Sequence, residues 1–263
     1  MSSDVVHAAQ AHALQEYPKE SCGLVVNGAY VPMENTALPV EQHQGESGCT
    51  CQLCSFQIDP AAQLAATADH PLQAVLHSHP DGPMFPSSAD MSGQLASKVP
   101  WGIIATDGER ASHPIWFGDE VGIAPIIGRE FVHGAADCYK LVRDIFALGK
   151  DALEAEGVTK EWPFDPIILP EFARDDSWWD KNQDLYLNHF EEAGFKRIDR
   201  SEVRPGDCFL SKIRSDKVNH AGAYVGNNLI CHHLVTRPSR REPAGIWAHG
   251  AEFWVRYVGV DNA

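Results

Sequence analysis

Apolar residues recur along the first half of the chain in short runs that predict alternating helices and strands. Residues 4–16 are alanine-rich and carry apolar side chains at helical spacing. Apolar residues on both sides of Asn27-Gly28 predict a β-hairpin, because this dipeptide suits a two-residue turn. Residues 60–69 predict a second helix, and the apolar runs at 74–76 and 101–105 predict buried strands. This alternation indicates an α/β layer structure.

The second half of the chain has a different order of elements. An amphipathic helix is predicted from Asp137 onwards, and three prolines within 162–170 predict an irregular loop. Ser177 followed by Asp180 resembles a capping box, which predicts a helix that ends near Gly194. Beyond this point the pattern predicts three strands, at 208–213, 221–225 and 229–234.

The change of pattern near residues 118–130 predicts two domains, 1–122 and 128–263, with a linker around 125–128. At 263 residues, the chain is long enough for each domain to bury a core of its own. A hydrophobic content of 44% and a charged content of 22% are typical of a globular protein.

Charge and hydropathy exclude several classes of partner. The net charge of −15 disfavours binding to nucleic acid and to anionic lipid, and the short basic cluster at 237–241 is interpreted as a solvated turn. No apolar run reaches about 18 residues, so no membrane insertion is expected. The N-terminus lacks the pattern of a secretory signal, and we therefore expect folding in the cytoplasm.

One set of polar residues in the first domain has the spacing of a catalytic metal site. His77 and His79 alternate along a strand and therefore point to the same face, where Asp90 can add a third ligand. Three protein ligands leave a fourth position for water, which is typical of catalytic zinc, and bound zinc lowers the pKa of that water to about 7. Glu20 can take up the proton, and Ser87 can cap the helix that carries Asp90 and donate towards a developing oxyanion.

The pattern Glu20…His77-Ser78-His79-x7-Ser87-x2-Asp90 resembles that of the JAMM metallopeptidases, which hydrolyse amide and isopeptide bonds. The resemblance implies that zinc is bound by His77, His79 and Asp90. It further implies that Glu20 is catalytic and that Ser87 stabilises the transition state.

Three of the seven cysteines lie in a Gly/Ser/Gln-rich segment and span only six residues: Cys49, Cys51 and Cys54. Three ligands do not close a tetrahedral zinc site, so loop thiols without a metal are the simpler interpretation. A second metal site would need a fourth ligand from elsewhere, such as Cys22 or His43. Both interpretations remain open from the sequence.

A second set of residues, in the other domain, is typical of a thiol peptidase. Cys138 opens the amphipathic helix, where the helix dipole favours a thiolate and lowers the pKa of the thiol. His220 lies on a later strand and can act as the base, and His232 follows twelve residues later as the residue that orients it. His233 is the alternative, because an odd hairpin loop places His232 on the face of His220 and an even loop places His233 there.

Cys138, Pro205-Gly206-Asp207, His220 and His232 together resemble the NlpC-type cysteine peptidases. The family spacing favours His232 over His233. The chain departs from the family at Tyr139-Lys140, where many members have Ser-Gly. The shape of the groove beside the nucleophile is therefore open.

A JAMM domain followed by an NlpC-type domain resembles the phage tail assembly protein K family over nearly the full length. The resemblance implies an α/β zinc hydrolase domain of JAMM type followed by a papain-like α+β domain of NlpC type. It implies a tail-tip peptidase whose partners are bacterial peptidoglycan, cleaved in its stem peptides, and other phage tail-tip proteins. The expected locations are the host cytoplasm during assembly and the tail tip of the virion.

Three functional hypotheses follow from this resemblance. Both sites are active in the first, and one site is vestigial in the second. In the third, the protein is mainly a structural assembly factor. The two complete sets of motif residues favour the first.

Overall fold

The computed structural model describes residues 1–43 and 49–259. The chain divides into two compact units, Met1–Gly122 and Ile123–Ala263. Within the described residues, no helix is both long enough and apolar enough to cross a membrane.

The N-terminal unit contains three helices and one mixed sheet. Its elements are α1 (Ser3–Glu16), β1 (Cys22–Val26), β2 (Ala29–Met33), α2 (Pro60–Ala66), β3 (Leu72–Pro80), α3 (Ser88–Ser97), β4 (Trp101–Thr106) and β5 (Ile115–Phe117). The strand order is β2-β1-β3-β4-β5, and only β3 and β4 run parallel. This unit is an α/β structure, as the sequence predicts.

The core of the N-terminal unit lies between α1 and the sheet. Val5, Ala9 and Ala13 form one face of α1 and pack against Leu76 and Ile104. The predicted hairpin is confirmed: Asn27 and Gly28 both have positive φ, at 49° and 73°, as the turn between β1 and β2 requires.

The C-terminal unit contains three helices and one antiparallel sheet. Its elements are α4 (Cys138–Ala155), α5 (Leu185–His189), β6 (Phe195–Ile198), β7 (Cys208–Ser211), β8 (His220–Gly226), β9 (Leu229–His232), β10 (Arg240–Pro243), α6 (Gly245–Gly250) and β11 (Phe253–Tyr257). The strand order is β10-β9-β8-β7-β11-β6. The unit is an α+β domain, as the sequence predicts.

Helix α4 is the central helix of this unit. Its apolar face, which includes Leu141, Ile145 and Phe146, is buried with residues of β8. The helix is interrupted at Gly149, whose φ is 67°. An added Cβ there would lie 2.6 Å from the backbone nitrogen of Pro166, so glycine allows the proline-rich segment to approach the helix closely.

The predicted helix from Ser177 to Gly194 is wrong. Ser177 adopts a left-handed conformation, with φ of 54°, and its side chain makes no capping hydrogen bond. A single 3₁₀ turn follows, and a second left-handed residue, Asn182, separates it from the short α5. The capping pattern fails because the Ser177 backbone is not in the extended conformation that an N-cap needs.

The segment predicted as a linker packs on the C-terminal unit. Ile126 is fully buried in the core of that unit, and its carbonyl accepts a hydrogen bond from the Ser239 hydroxyl at 2.7 Å. Arg129 donates to the carbonyl of Pro125 at 2.8 Å. These contacts belong to the second unit alone.

Two candidate active sites

Three buried ligand atoms converge at the end of β3. His77 Nε2 lies 3.0 Å from His79 Nε2, and the Asp90 carboxylate lies 3.2 Å from the first and 3.4 Å from the second. Zinc at 2.0–2.1 Å from two nitrogens would hold them about 3.4 Å apart, so the arrangement fits the metal within a few tenths of an ångström. The residues thus form a candidate three-ligand metal centre.

The tautomer of His79 suits a metal ligand. Its Nδ1 lies 2.8 Å from the carbonyl oxygen of Pro83 and must carry a proton to donate to it. In the neutral ring, Nε2 then keeps its lone pair and faces the other two ligands. Burial opposes a charge on Asp90, yet His77 and His79 hold the pKa of its carboxyl well below the usual range.

Ser87 lies at the N-cap of α3, as predicted, and Asp90 completes a capping box with it. The Ser87 hydroxyl donates to Asp90 Oδ2 at 2.7 Å and accepts from the Asp90 backbone N–H at 3.1 Å. The hydroxyl hydrogen is therefore directed at the ligand carboxylate. The predicted donation to an oxyanion would require this hydroxyl to rotate away from Asp90.

Glu20 is held beside this centre by the pairing of β1 with β3. Cys22 pairs with His77 in the register, and Ser21 and Ser78 exchange two hydrogen bonds, at 2.8 and 3.0 Å. Burial raises the pKa of Glu20 to about 8, while His79 lowers it and Asp90 raises it. Ser78, which lies between the two ligand histidines, thus anchors the segment that carries Glu20; this role was not predicted.

Aromatic rings line the metal centre. The Phe56 ring lies 4.7 Å from the His77 ring, between centroids, and the Trp101 ring lies 5.7 Å from it. The sequence motif does not include Phe56, because it lies in an irregular loop far from the histidines along the chain.

In the C-terminal unit, Cys138 is the first residue of α4, and Asp137 is its N-cap. Asp137 accepts from the Lys140 N–H at 2.8 Å and from the Gly134 N–H at 2.9 Å, and it pairs with Arg174 at 2.6 Å. Burial alone would raise the pKa of Asp137, but Arg174 and His133 hold it well below the usual range. A charged, fixed cap therefore starts the helix at the nucleophile.

Cys138 and His220 both line one cavity of about 930 Å³. Its wall is largely aromatic and aliphatic, with Phe172, Trp178, Tyr186, Phe190 and Trp247 among the lining residues. A cavity of this size can take a ligand of several residues. Tyr186, which was not predicted, has its hydroxyl 3.3 Å from Cys138 Sγ.

His220 and His232 are neighbours on adjacent strands. His220 Nε2 lies 3.1 Å from His232 Nδ1, and His232 Nε2 lies 2.7 Å from a Glu242 oxygen. The contact between His232 Nε2 and Glu242 is as short as an ion pair, but its angles do not meet the geometry of a hydrogen bond. Glu242 was not predicted, because β10, which carries it, has no apolar alternation.

His233 contacts a different part of the unit. Its ring packs edge-on against Phe131, with 5.1 Å between centroids. His232 is the histidine that contacts His220, and His233 lines the cavity beside residues of the Phe131 segment.

The expected lowering of the Cys138 pKa is wrong. Burial, together with the Asp137 carboxylate, raises the pKa of the thiol, and burial with the two neighbouring histidines lowers that of His220 to about 3. Desolvation disfavours both charged forms. These directions favour the uncharged forms of the Cys138 thiol and of the His220 imidazole, which line the same cavity.

Tyr139 and Lys140, which follow Cys138 where many NlpC-type peptidases have Ser-Gly, each contact other residues of the unit. The Tyr139 hydroxyl donates to the Pro170 carbonyl at 2.6 Å. Lys140 pairs with Asp144, which also pairs with Arg129 at 2.5 Å. Both side chains are thus engaged with neighbouring segments.

Two family models match the chain, one in each unit. Residues 2–116 match the prokaryotic homologs of the JAB domain, and residues 128–248 match the NlpC/P60 family. The two matches lie in the order that the sequence motifs predict.

Three known proteins are similar to this chain. The tail tip assembly protein K of Escherichia phage N15 is 29% identical over 99% of this chain and 97% of its own length. The protein of the same name from phage lambda is 29% identical over 78% of this chain and 96% of its own length. A probable TtuB-protein conjugate cleaving protease of Thermus thermophilus is 34% identical over 39% of this chain and 66% of its own length.

Proposed function

The chain belongs to the phage tail assembly protein K family, a JAB domain followed by an NlpC/P60 domain, and on that premise we propose that it is a peptidase with two separate active sites. The proposed N-terminal site is a zinc hydrolase for amide or isopeptide bonds. The proposed C-terminal site cleaves the stem peptides of peptidoglycan through Cys138. The observation that carries the proposal is the presence, in each unit, of a complete set of reactive groups in one place.

In the N-terminal site, His77, His79 and Asp90 would hold the metal, through the atoms that already converge. A bound zinc ion supplies Lewis-acid polarisation and a reactive water at neutral pH. Glu20 is buried beside the ligands, and we assign to it the transfer of a proton to the leaving amine. Ser87 keeps Asp90 in place through the capping box and is our proposed donor to the transition state.

The C-terminal site would use general-base activation of a neutral thiol. The Glu242 carboxylate favours a proton on His232 Nε2, so that His232 Nδ1 can accept from His220 Nε2–H. This leaves His220 Nδ1 without a proton, as a base for Cys138. Cys138 Sγ then attacks the scissile carbonyl carbon, and the proton on His220 passes to the leaving amine.

The cavity that Cys138 lines is large enough to take a short peptide, which supports a stem-peptide substrate. The similarity to tail tip assembly proteins supports a place among other phage tail proteins, assembled in the host cytoplasm and carried at the tail tip. The similarity to a conjugate-cleaving protease supports an amide or isopeptide substrate for the zinc site.

Glu20→Gln tests the zinc site. This variant is expected to bind as much zinc as the wild type and to lose about 10²-fold or more of the chelator-sensitive peptide hydrolysis, because it removes only the proton carrier. Glu16→Gln, at a half-buried position at the end of α1, is the control and should keep full activity. Full chelator-sensitive activity in Glu20→Gln would disprove the assigned role, whereas hydrolysis by the thiol site should survive chelation.

A further inference from the structure

Four potential metal ligands converge in the irregular segment between β2 and α2. The Nδ1 atom of His43 lies 3.6, 3.4 and 3.5 Å from three sulfur atoms, which belong in turn to Cys49, Cys51 and Cys54. The sulfur atoms of Cys49 and Cys51 are 3.4 Å apart. This cluster is separate from the His77, His79 and Asp90 centre.

The distances are those of a tetrahedral metal site. One nitrogen atom has a single lone pair and cannot bond three thiols at once. A zinc ion at about 2.3 Å from sulfur and about 2.0 Å from nitrogen holds a sulfur about 3.5 Å from the nitrogen, and two sulfurs about 3.8 Å apart. The observed spacings lie within about 0.4 Å of these values.

We propose that His43, through Nδ1, and the thiolates of Cys49, Cys51 and Cys54 bind a structural zinc ion. Binding releases the three thiol protons to solvent and changes no oxidation state. Four protein ligands leave no position for water, so this ion takes no part in hydrolysis. Of the two candidates for the fourth ligand, His43 lies in the cluster and Cys22 does not. Cys22 lies in β1, where its thiol is 3.7 Å from the Met33 carbonyl.

The described residues around the cluster have little apolar burial and are held mainly by hydrogen bonds, such as those of Asn35 with Ser55 and Gln52. Of the described residues in 34–43 and 49–58, only Ala37 and Cys51 are buried, and the regular structure is limited to one 3₁₀ turn. A bound metal ion would add a cross-link between the two parts of this segment, where apolar burial contributes little. The Cys51 carbonyl accepts from the Cys54 N–H at 3.0 Å, which forms the tight turn between two ligands.

The same segment contacts the first candidate active site. The Gln52 carbonyl accepts from the Glu20 backbone N–H at 2.7 Å, and Asn35 donates to the Glu20 carbonyl at 2.9 Å. Phe56, two residues beyond the last ligand, packs on His77. The ion would therefore fix the loop that holds the backbone of Glu20.

Metal content of the full chain tests the proposal. Wild-type protein should carry two zinc ions per chain, and Cys54→Ala, at an exposed ligand, should carry one. Cys22→Ala removes a neighbouring thiol that is not a ligand and should keep two. His79→Ala should lose the other ion and keep this one.

Cobalt substitution identifies which ligands hold the ion. Wild-type and His79→Ala proteins loaded with Co²⁺ should both show thiolate-to-cobalt charge-transfer absorption, and Cys54→Ala should lose most of it. Equal zinc content in wild type and Cys54→Ala, without a charge-transfer band, would overturn the proposal. That result would leave the His77, His79 and Asp90 centre untouched, since His79→Ala reports on it separately.

Discussion

His220 and His232 show how a single residue decides the geometry of the thiol site. The turn between β8 and β9 contains two residues, Asn227 and Asn228. An even loop alone would place His233, and not His232, on the same face of the sheet as His220. The register shifts between Tyr224 and Gly226, and beyond the shift Gly222 pairs with His232. This β-bulge restores His232 to the required face, and the apolar pattern alone could not reveal it.

His232→Ala is expected to lower kcat/KM of the thiol site by about 10²-fold, because His220 loses the group that fixes its tautomer. His233→Ala, the matched control on the next residue, should lower it several-fold at most. Rates on a synthetic stem peptide measure both. A larger loss in His233→Ala than in His232→Ala would reassign the orienting residue.

The lowered pKa of His220 predicts an unusual titration. Burial and two neighbouring histidines bring the pKa to about 3, so the ring should stay neutral as the pH falls through 6.5, where an exposed imidazole gains its proton. The unfolded chain binds that proton earlier, and this residue therefore makes the fold less stable as the pH falls from 6.5 towards 3. NMR titration should show no protonation of His220 above pH 5, with His220→Gln to assign the signal. A midpoint near 6.5 would refute the uncharged resting form of His220.

At the scale of elements, α4 is the part of the C-terminal unit that the sequence predicts best. Its apolar spacing and its Asp137 cap are visible in the chain and confirmed in the structure. What holds the cap could not be predicted, because Arg174 lies in an irregular segment 37 residues away. Arg174 bridges Asp137 and Glu171, and Glu171 also pairs with Arg143 on α4. Asp137, Arg143 and Arg174 are buried, and Glu171 is half-buried.

Arg174→Met should destabilise the C-terminal unit by about 3–5 kcal/mol, because it leaves the buried Asp137 carboxylate without its arginine. Lys150→Met, which removes an exposed ion pair with Asp165, should have a much smaller effect, because solvent screens the pair. Urea unfolding followed by tryptophan fluorescence compares the two variants. Equal effects would show that the buried network contributes no more than a surface pair.

In the whole molecule, each unit carries a motif that can be recognised from the spacing of its residues. Each unit also has segments that hold the motif residues in place and that the spacing does not reveal. The His77, His79 and Asp90 set is predictable because a strand and a capped helix fix the spacing of its members. The loop that holds Glu20, the cavity wall and Glu242 come from segments without regular apolar periods. Sequence patterns thus locate both candidate sites and leave their surroundings to the structure.

Mass spectrometry of the fragments released from purified sacculi tests the central claim most directly. Wild-type protein should cut stem peptides with and without chelator, and Cys138→Ala should make none of those cuts. Cys231→Ala, which removes a buried cysteine of β9 in the same unit, should cut like the wild type. Stem-peptide cuts that persist in Cys138→Ala, or no cuts from folded wild-type protein, would contradict a thiol peptidase that acts on the cell wall.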